Sequence, residues 1–403
     1  ETGLKNVFPG VKLAMVLKQI DDWFESSIAY DPEFINIRIQ VLIFLGHLFT
    51  VEDTLPDIYV DLVNKIIADN LDMADDRVDL KYYTLKVYAS MLKRNPNGLE
   101  LQDERLIELL ATAPNDNNAS QVAYLVDTIL ERALQLSKIS TKLVQRFKSQ
   151  LLIVLAKTVS LTKQKLSSYY LLQLYKEEKD DFVIEYQLSK DENKKAQLPS
   201  PVLEIAEKFK VDSTADIFRY MLSWLVITDF FKDVTLSIKN DYLNEVLEGK
   251  DFQTLLYYIF DHVDFSNKFL STFPIESVTD YDIRYMFKDS SREEELKVLA
   301  LHVYYKCLKY CGFQVQLWFK EIRDKQLQMK VERITSKYLS PPLIKEVLEQ
   351  VEAEKQKLLA KEDNLSIKIN RVSNEIKTSY LVDDQKLEMV VKIPAHYPLE
   401  NVV

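Results

Sequence analysis

The chain has 403 residues, 47% of them apolar and 28% charged, with a formal net charge of −10 and only six glycines. That length implies two or three domains or one repeat array rather than a single core, and the scarcity of glycine works against hairpins and phosphate-cradling loops, which need positive φ angles. A pI of about 5.2 excludes a generally basic nucleic-acid binder, so any such contact has to come from a local patch.

From the amino end, apolar residues recur at steps of three and four. In DIYVDLVNKIIADNL these are Ile58, Leu62, Ile66, Ile67 and Leu71; in QVAYLVDTILERALQL they are Val122, Leu125, Val126, Ile129, Leu130, Ala133 and Leu134. That spacing makes one apolar helical face. KLVQRFKSQLLIVLAKTV and ADIFRYMLSWLVITDFF repeat it, with breaks at 54–57, 95–98 and 113–120 where Pro, Gly, Asn and Asp gather. The pattern predicts about 15 to 17 helices of roughly 10 to 20 residues before position 362. Helical hairpins that each expose an apolar face to the next form an α-solenoid. Without a strict period, HEAT-like repeats fit better than TPR or ankyrin repeats; an irregular helical bundle is the alternative. VLIFLGHLF at 41–49 suits a buried helix, no apolar run approaches 18 residues, and no membrane span or signal peptide is expected.

Residues 175–201, charged and ending in Pro199 and Pro201, read as a loop or boundary, or as one long inter-helix loop. Residues 1–313 are thus expected to form the helical arm, with a possible break at 175–201. Residues 314–403 form a second region: helices around a Ser340-Pro341-Pro342 break to about 361, then strands within 365–393. In NLSIKIN, Leu365, Ile367 and Ile369 alternate with Ser366, Lys368 and Asn370, as in a half-buried strand. EIKTSYLV and KLEMVVKIP follow as strands, joined by a turn at Val382–Gln385, and Pro394 ends the third. The fold class is mainly α: a HEAT-like solenoid followed by a partial α+β domain.

The catalytic search is nearly empty. Four histidines, His47, His262, His302 and His396, form no paired-ligand spacing, and no P-loop, GxGxxG or GxSxG occurs. Acidic pairs such as Asp75-Asp76 and Asp383-Asp384 read as solvated faces. Tyr82-Tyr83, Tyr257-Tyr258 and Tyr304-Tyr305 read as inter-helix packing. Cys307 and Cys311, four apart on a helix, read as buried structural thiols of a cytosolic chain, because a metal site needs about four ligands. No catalytic and no metal-binding residue is expected.

One electrostatic feature remains. Residues 314–403 carry fifteen Lys and Arg against fourteen acids, so the rest of the chain is at −11. Lys320, Arg323, Lys325, Lys330, Arg333 and Lys337 are expected on one helix, where they could reach a phosphate backbone. An ordinary solvated helix is the other reading.

The stretch LWFKEIRDKQLQMKVERITSKYLSPPLIKEVLEQV, followed by LSIKINRVSNEIKTSYLVDD and a strand into HYPLENV, resembles the carboxy-terminal region of the listerin family of RING-type E3 ubiquitin ligases. The match covers about 317–403. The resemblance implies a HEAT-like arm leading into an RWD domain and then a RING. RWD domains usually carry a YPxxxP turn; His396, Tyr397 and Pro398 mark it here, but Val402 stands at the last proline position. The resemblance also implies docking on the large (60S) ribosomal subunit, against rRNA and exit-tunnel proteins. Further implied partners are the sensor subunit that recognises stalled peptidyl-tRNA and a ubiquitin-conjugating enzyme recruited by the RING. The implied location is cytoplasmic and ribosome-associated. These 403 residues hold no Cys/His set at RING spacing, so the zinc of a RING is expected outside them and they are expected to be non-catalytic alone. The alternative is a non-enzymatic HEAT-repeat/RWD adaptor in translational control.

Overall fold

The computed structural model describes residues 10–51, 57–73, 77–94, 103–111, 121–136, 139–188, 195–208, 213–248, 251–266, 269–270, 275–284, 291–360, 364–382 and 385–403. The expected breaks at 95–98 and 113–120, most of 54–57, and the turn residues Asp383 and Asp384 lie outside them. The chain divides into two compact units, one ending at Tyr175 and the other running from Lys176 to Val403.

Among its described residues the first unit contains helices and short connections but no strand. Helix Ile35–Val51 packs on Val78–Arg94, which also receives Asp57–Met73 and Gln121–Leu136. Leu42, Leu45, Leu48 and Phe49 of the first of these are buried, as are Val63, Ile66 and Ile67 of the third-and-fourth-spaced run. Arg38 is buried too, and its guanidinium donates to the side-chain oxygen Oδ1 of Asn70, so the charge keeps a partner out of water. By length and apolarity alone Pro32–Thr50 could cross a membrane, but the packing of its Leu42, Leu45 and Phe49 face is that of an array helix. Tyr82 and Tyr83 meet edge to face, centroids 5.0 Å apart.

In the second unit helix Arg292–Tyr310 is the centrepiece. Ser291 caps it by accepting from the Glu294 amide, and it is buried on nearly every side from Glu295 to Leu308. Helices Thr214–Asp229, Asp251–His262 and Gly312–Glu321 pack on it, and Lys325–Ile334 packs on Asp251–His262. Phe260 meets Tyr304 edge to face at 4.8 Å and stacks on Trp318 at 6.0 Å. All three rings are within 1% of full burial. Tyr257 and Tyr258 turn to Trp318 and Tyr220, so these aromatic pairs pack helix against helix.

Three expectations need correction. Residues 175–188 are not a loop: one helix, Leu161–Leu188, runs through them. Glu, Lys and Gln are good helix formers, so charge density does not break a helix. Lys179 is even buried, donating to the Lys232 carbonyl at 2.9 Å. Residues 189–194 lie outside the described residues. The position 313/314 falls inside helix Gly312–Glu321 and is no break in secondary structure. Nor do Pro341 and Pro342 interrupt the chain path. The helix pauses instead at 322–324, and Lys325–Ile334 passes through a π-helical turn, Thr335–Leu339, directly into Ser340–Leu359. The two prolines fall at the start of Ser340–Leu359, just after the π-helical turn, where the widened ladder takes up their missing amides.

The strands come last: β1 Leu365–Asn370, β2 Glu375–Val382 and β3 Gln385–Lys392, in an antiparallel meander of order β1-β2-β3. Ile367 pairs with Thr378 and Thr378 with Met389, which sets one face as Leu365, Ile367, Ile369, Ile376 and Val391. Helix Ser340–Leu359 covers that face through Ile344 and Leu348, and Ile393 joins the same core. The expected alternation in β1 is met residue by residue.

Candidate functional site

The six expected cations do not share one helix. Lys320 lies in the last turn of Gly312–Glu321, and Arg323 lies in the connection. Lys325 opens the next helix, Lys330 and Arg333 follow on it, and Lys337 sits in the π-helical turn. Asp324 creates the interruption: its carboxylate caps the second helix, accepting from the amides of Gln326 at 2.8 Å and Leu327 at 3.4 Å. Five of the six side chains, Lys320, Arg323, Lys325, Arg333 and Lys337, are exposed. Lys337 lies over the Tyr338 ring, 5.2 Å from its centroid.

Lys330 is different. Its ammonium donates to the Phe260 carbonyl at 2.5 Å and lies 5.9 Å from the centre of the Phe265 ring. Loss of water holds its pKa below the ordinary lysine value, an effect that Asp264 and Asp261 partly oppose. It fastens two helices together and, unlike the other five, is only partly exposed. Its place in the sequence, four after Gln326 and three before Arg333, carried no sign of this.

The Tyr-Pro turn is tied down on several sides. The Tyr397–Pro398 peptide is cis. The Ser340 hydroxyl donates to the Tyr397 carbonyl at 2.6 Å, and the Leu399 amide to the His396 carbonyl at 2.7 Å. Pro398 is buried against Gly312 so closely that a Cβ there would lie 3.1 Å from the proline Cβ. His396 Nδ1 stands 3.3 Å from a Glu332 carboxylate oxygen and 3.7 Å from one of Glu400. Tyr397 packs on the sheet core, and burial raises its phenol pKa. Ser340, read in the sequence only as part of a break, is therefore an anchor of this turn. Beyond it, Val403 and Lys392 exchange both backbone hydrogen bonds, at 2.7 and 3.1 Å, as in an antiparallel ladder beside β3.

The zinc that the resemblance implies finds no matching set of donors among the described residues. Cys307 and Cys311 are buried, and burial pushes the Cys311 thiol up to about 12 and that of Cys307 well above its usual value, away from the thiolate that binds metal. His302 directs Nδ1 to the Val278 carbonyl at 2.6 Å. Among the described residues no group of three or more His, Cys, Asp or Glu is placed to hold a metal. What this surface offers is binding chemistry: exposed ammonium and guanidinium groups beside a rigid turn.

Residues 140–352 match the family model described as the LTN1 family HEAT repeat region. E3 ubiquitin-protein ligase listerin of Saccharomyces cerevisiae is 27% identical over 436 residues, covering 97% of this chain and 28% of that protein. The listerin of Schizosaccharomyces pombe is 32% identical over 45% of the chain and 11% of its own length. That of Xenopus tropicalis is 26% identical over 46% of the chain and 11% of its own length. The chain thus spans less than a third of the length of these relatives. With the family's repeat model matched over more than half of its residues, on a helical array of the expected kind, the chain belongs to the LTN1 family of listerin E3 ubiquitin-protein ligases.

Proposed function

We propose that this chain is the carboxy-terminal arm and the first part of the RWD domain of a listerin-type ligase, and that it docks the ligase on the large ribosomal subunit. The observation that carries this reading is the set of five exposed cations, Lys320, Arg323, Lys325, Arg333 and Lys337, on the approach to the sheet of an otherwise acidic chain. Ribosomal RNA presents dense phosphate, and each cation that neutralises one releases counterions. The helical array supports a spacer role, because each repeat adds length at a set curvature. Holding two distant sites on one scaffold raises their effective concentration for each other.

In this reading the rest of the assembly follows from the family. The arm reaches towards the sensor of stalled peptidyl-tRNA, while the sheet region and its Tyr-Pro turn sit near rRNA and proteins of the exit tunnel. A zinc-bearing RING outside these 403 residues recruits the ubiquitin-conjugating enzyme and modifies the stalled nascent chain. The setting is the cytoplasm.

The test is co-sedimentation with purified 60S subunits across a salt series. The comparison is between the native chain and a variant with Arg323, Lys325, Arg333 and Lys337 changed to Glu. The log–log salt slope should flatten by roughly 0.7 to 0.9 per lost contact, and affinity should fall with it. Lys330 is left in place, since its removal would damage packing. Equal affinity and slope in both proteins would defeat the docking role of this surface.

A further inference from the structure

A cavity of about 310 Å³ opens where helix Ser340–Leu359, the β1–β2 turn and the segment after β3 converge. Buried Ile344 and Leu348 and exposed Pro341 and Ala395 supply its apolar lining, and Ser336 and Asn374 add polar groups. Lys345 and Arg371 stand at its rim. Its size is at the small end of ligand pockets, roughly 300 to 1,000 Å³, and suits one large side chain with its neighbours.

The walls are fixed. In the β1–β2 turn the Asn370 side chain accepts from the amides of Val372 at 3.0 Å and Ser373 at 3.3 Å, and Asn374 takes a positive φ of 54°. The Ile393 amide then donates to the Asn374 carbonyl at 2.9 Å, joining the turn to the segment that carries Ala395. On the helix side, the π-helical turn ends just before Pro341. The rim cations are weakly compensated. Glu349 approaches Lys345 only to 3.9 Å, on a side chain that is 74% exposed. Glu346, the next acid, is held by Lys309 and Tyr305. Among the described residues Arg371 has no carboxylate within ion-pair distance.

We propose that this cavity is a docking site for a segment of a partner protein that carries one bulky apolar side chain flanked by carboxylates. The apolar side chain fills the space over Ile344 and Leu348, and the carboxylates meet Lys345 and Arg371. Charge complementarity names the acids, because among the described residues Lys345 meets Glu349 only at 3.9 Å and Arg371 meets no carboxylate. The apolar floor favours a side chain over a phosphate backbone, since a phosphate would lose water there without gaining a partner. Arg371 can grip a carboxylate with two parallel hydrogen bonds. The proposal does not depend on ribosome docking, and none of its residues is among the cations tested for that role.

The experiment uses the 403-residue chain and a series of fluorescein-labelled decapeptides. Each has a single central Phe or Leu and one to three flanking Asp or Glu. Control peptides replace the apolar residue by Ser or the acids by Lys, and a ten-nucleotide single-stranded oligouridylate is titrated in parallel. At least one acidic-apolar peptide should bind saturably with a Kd below about 1 mM, and both peptide controls should bind at least about tenfold more weakly. Arg371→Ala should weaken the best peptide about tenfold, in line with one lost charge-assisted contact. Arg371→Lys should retain part of the affinity. Ala395→Trp, at an exposed wall position, should block the cavity while leaving the thermal unfolding midpoint and circular dichroism unchanged. Isoleucine methyl NMR should show the Ile344 signal shifting on peptide addition. Three results would overturn the proposal: no saturable binding across the series, full affinity retained in Arg371→Ala and Ala395→Trp, or tighter binding of the oligonucleotide than of any peptide.

Discussion

Helix Arg292–Tyr310 and strand β3 belong to the same unit and bury their side chains in opposite ways. The helix is enclosed on nearly all sides, so that even Glu295, Lys297 and His302 are largely out of water. The strand leaves Leu387 and Met389 more than half exposed, although their neighbour Val391 on the same face joins the core. The difference is one of partners. Among the described residues, other helices surround Arg292–Tyr310, whereas one helix, Ser340–Leu359, covers part of a three-stranded sheet. An apolar side chain contributes about 25 cal/mol per Å² removed from water, so equal residues have unequal worth in the two places.

The sharpest way to test that contrast is to cut into the enclosed region. Phe260→Ala removes a ring locked between Tyr304 and Trp318; it should cost about 3–5 kcal/mol in denaturant unfolding. In the sheet, Ile367→Ala removes a side chain under helix Ser340–Leu359 and should cost about 2–4 kcal/mol. Leu387→Ala, on the open part of the same face, should stay within about 0.5 kcal/mol. A Leu387 effect as large as that of Ile367 would show that β3 is covered in solution.

The enclosed region should also be sensitive to acid. Burial pushes the pKa of His302 down to about 3, helped by Lys306, so the folded state holds the ring neutral. The unfolded chain binds a proton below about 6.5 and the folded one does not, so stability falls as pH drops from about 6.5 towards 3. Between pH 6.5 and 4.5 the loss from this group should be about 2–3 kcal/mol, and His302→Asn should remove it. Unfolding curves across that range, for both proteins, give the answer.

Two smaller effects refine the picture at its junction. Lys330→Met abolishes the bond to the Phe260 carbonyl and should cost about 1–3 kcal/mol, while Lys337→Met, fully at the surface, should change stability by under about 0.5 kcal/mol. Equal effects would return Lys330 to the surface set. Gly312→Ala brings a methyl within 3.1 Å of the buried Pro398 ring. A net loss of about 1 kcal/mol is expected, since the turn bonded to Ser340 has little room to yield.

Whatever depends on local periodicity was legible in the order of residues. Side chains recur every 3.6 residues on a helix and every two on a strand, so Ile58 through Leu71 read as one helix and Leu365, Ile367 and Ile369 as one face of a strand. The sparse glycines agreed. Tertiary structure decided what depends on the opposing surface. Lys179 and Lys330 look like their exposed neighbours in sequence, yet each is drawn inward by a backbone carbonyl far along the chain, Lys232 in a turn and Phe260 in a helix. The helix through 175–188 carries its charge because Glu, Lys and Gln favour helix; packing added only the burial of Lys179. Ser340 became the anchor of the Tyr397 turn, 57 residues away, only when the two segments met. The cavity between Lys345 and Arg371 has no sequence signature at all, because its walls come from separate segments that packing alone brings together. Periodicity is written within a few residues of chain; burial and pairing are properties of the contact, and appear only once the second surface is in place.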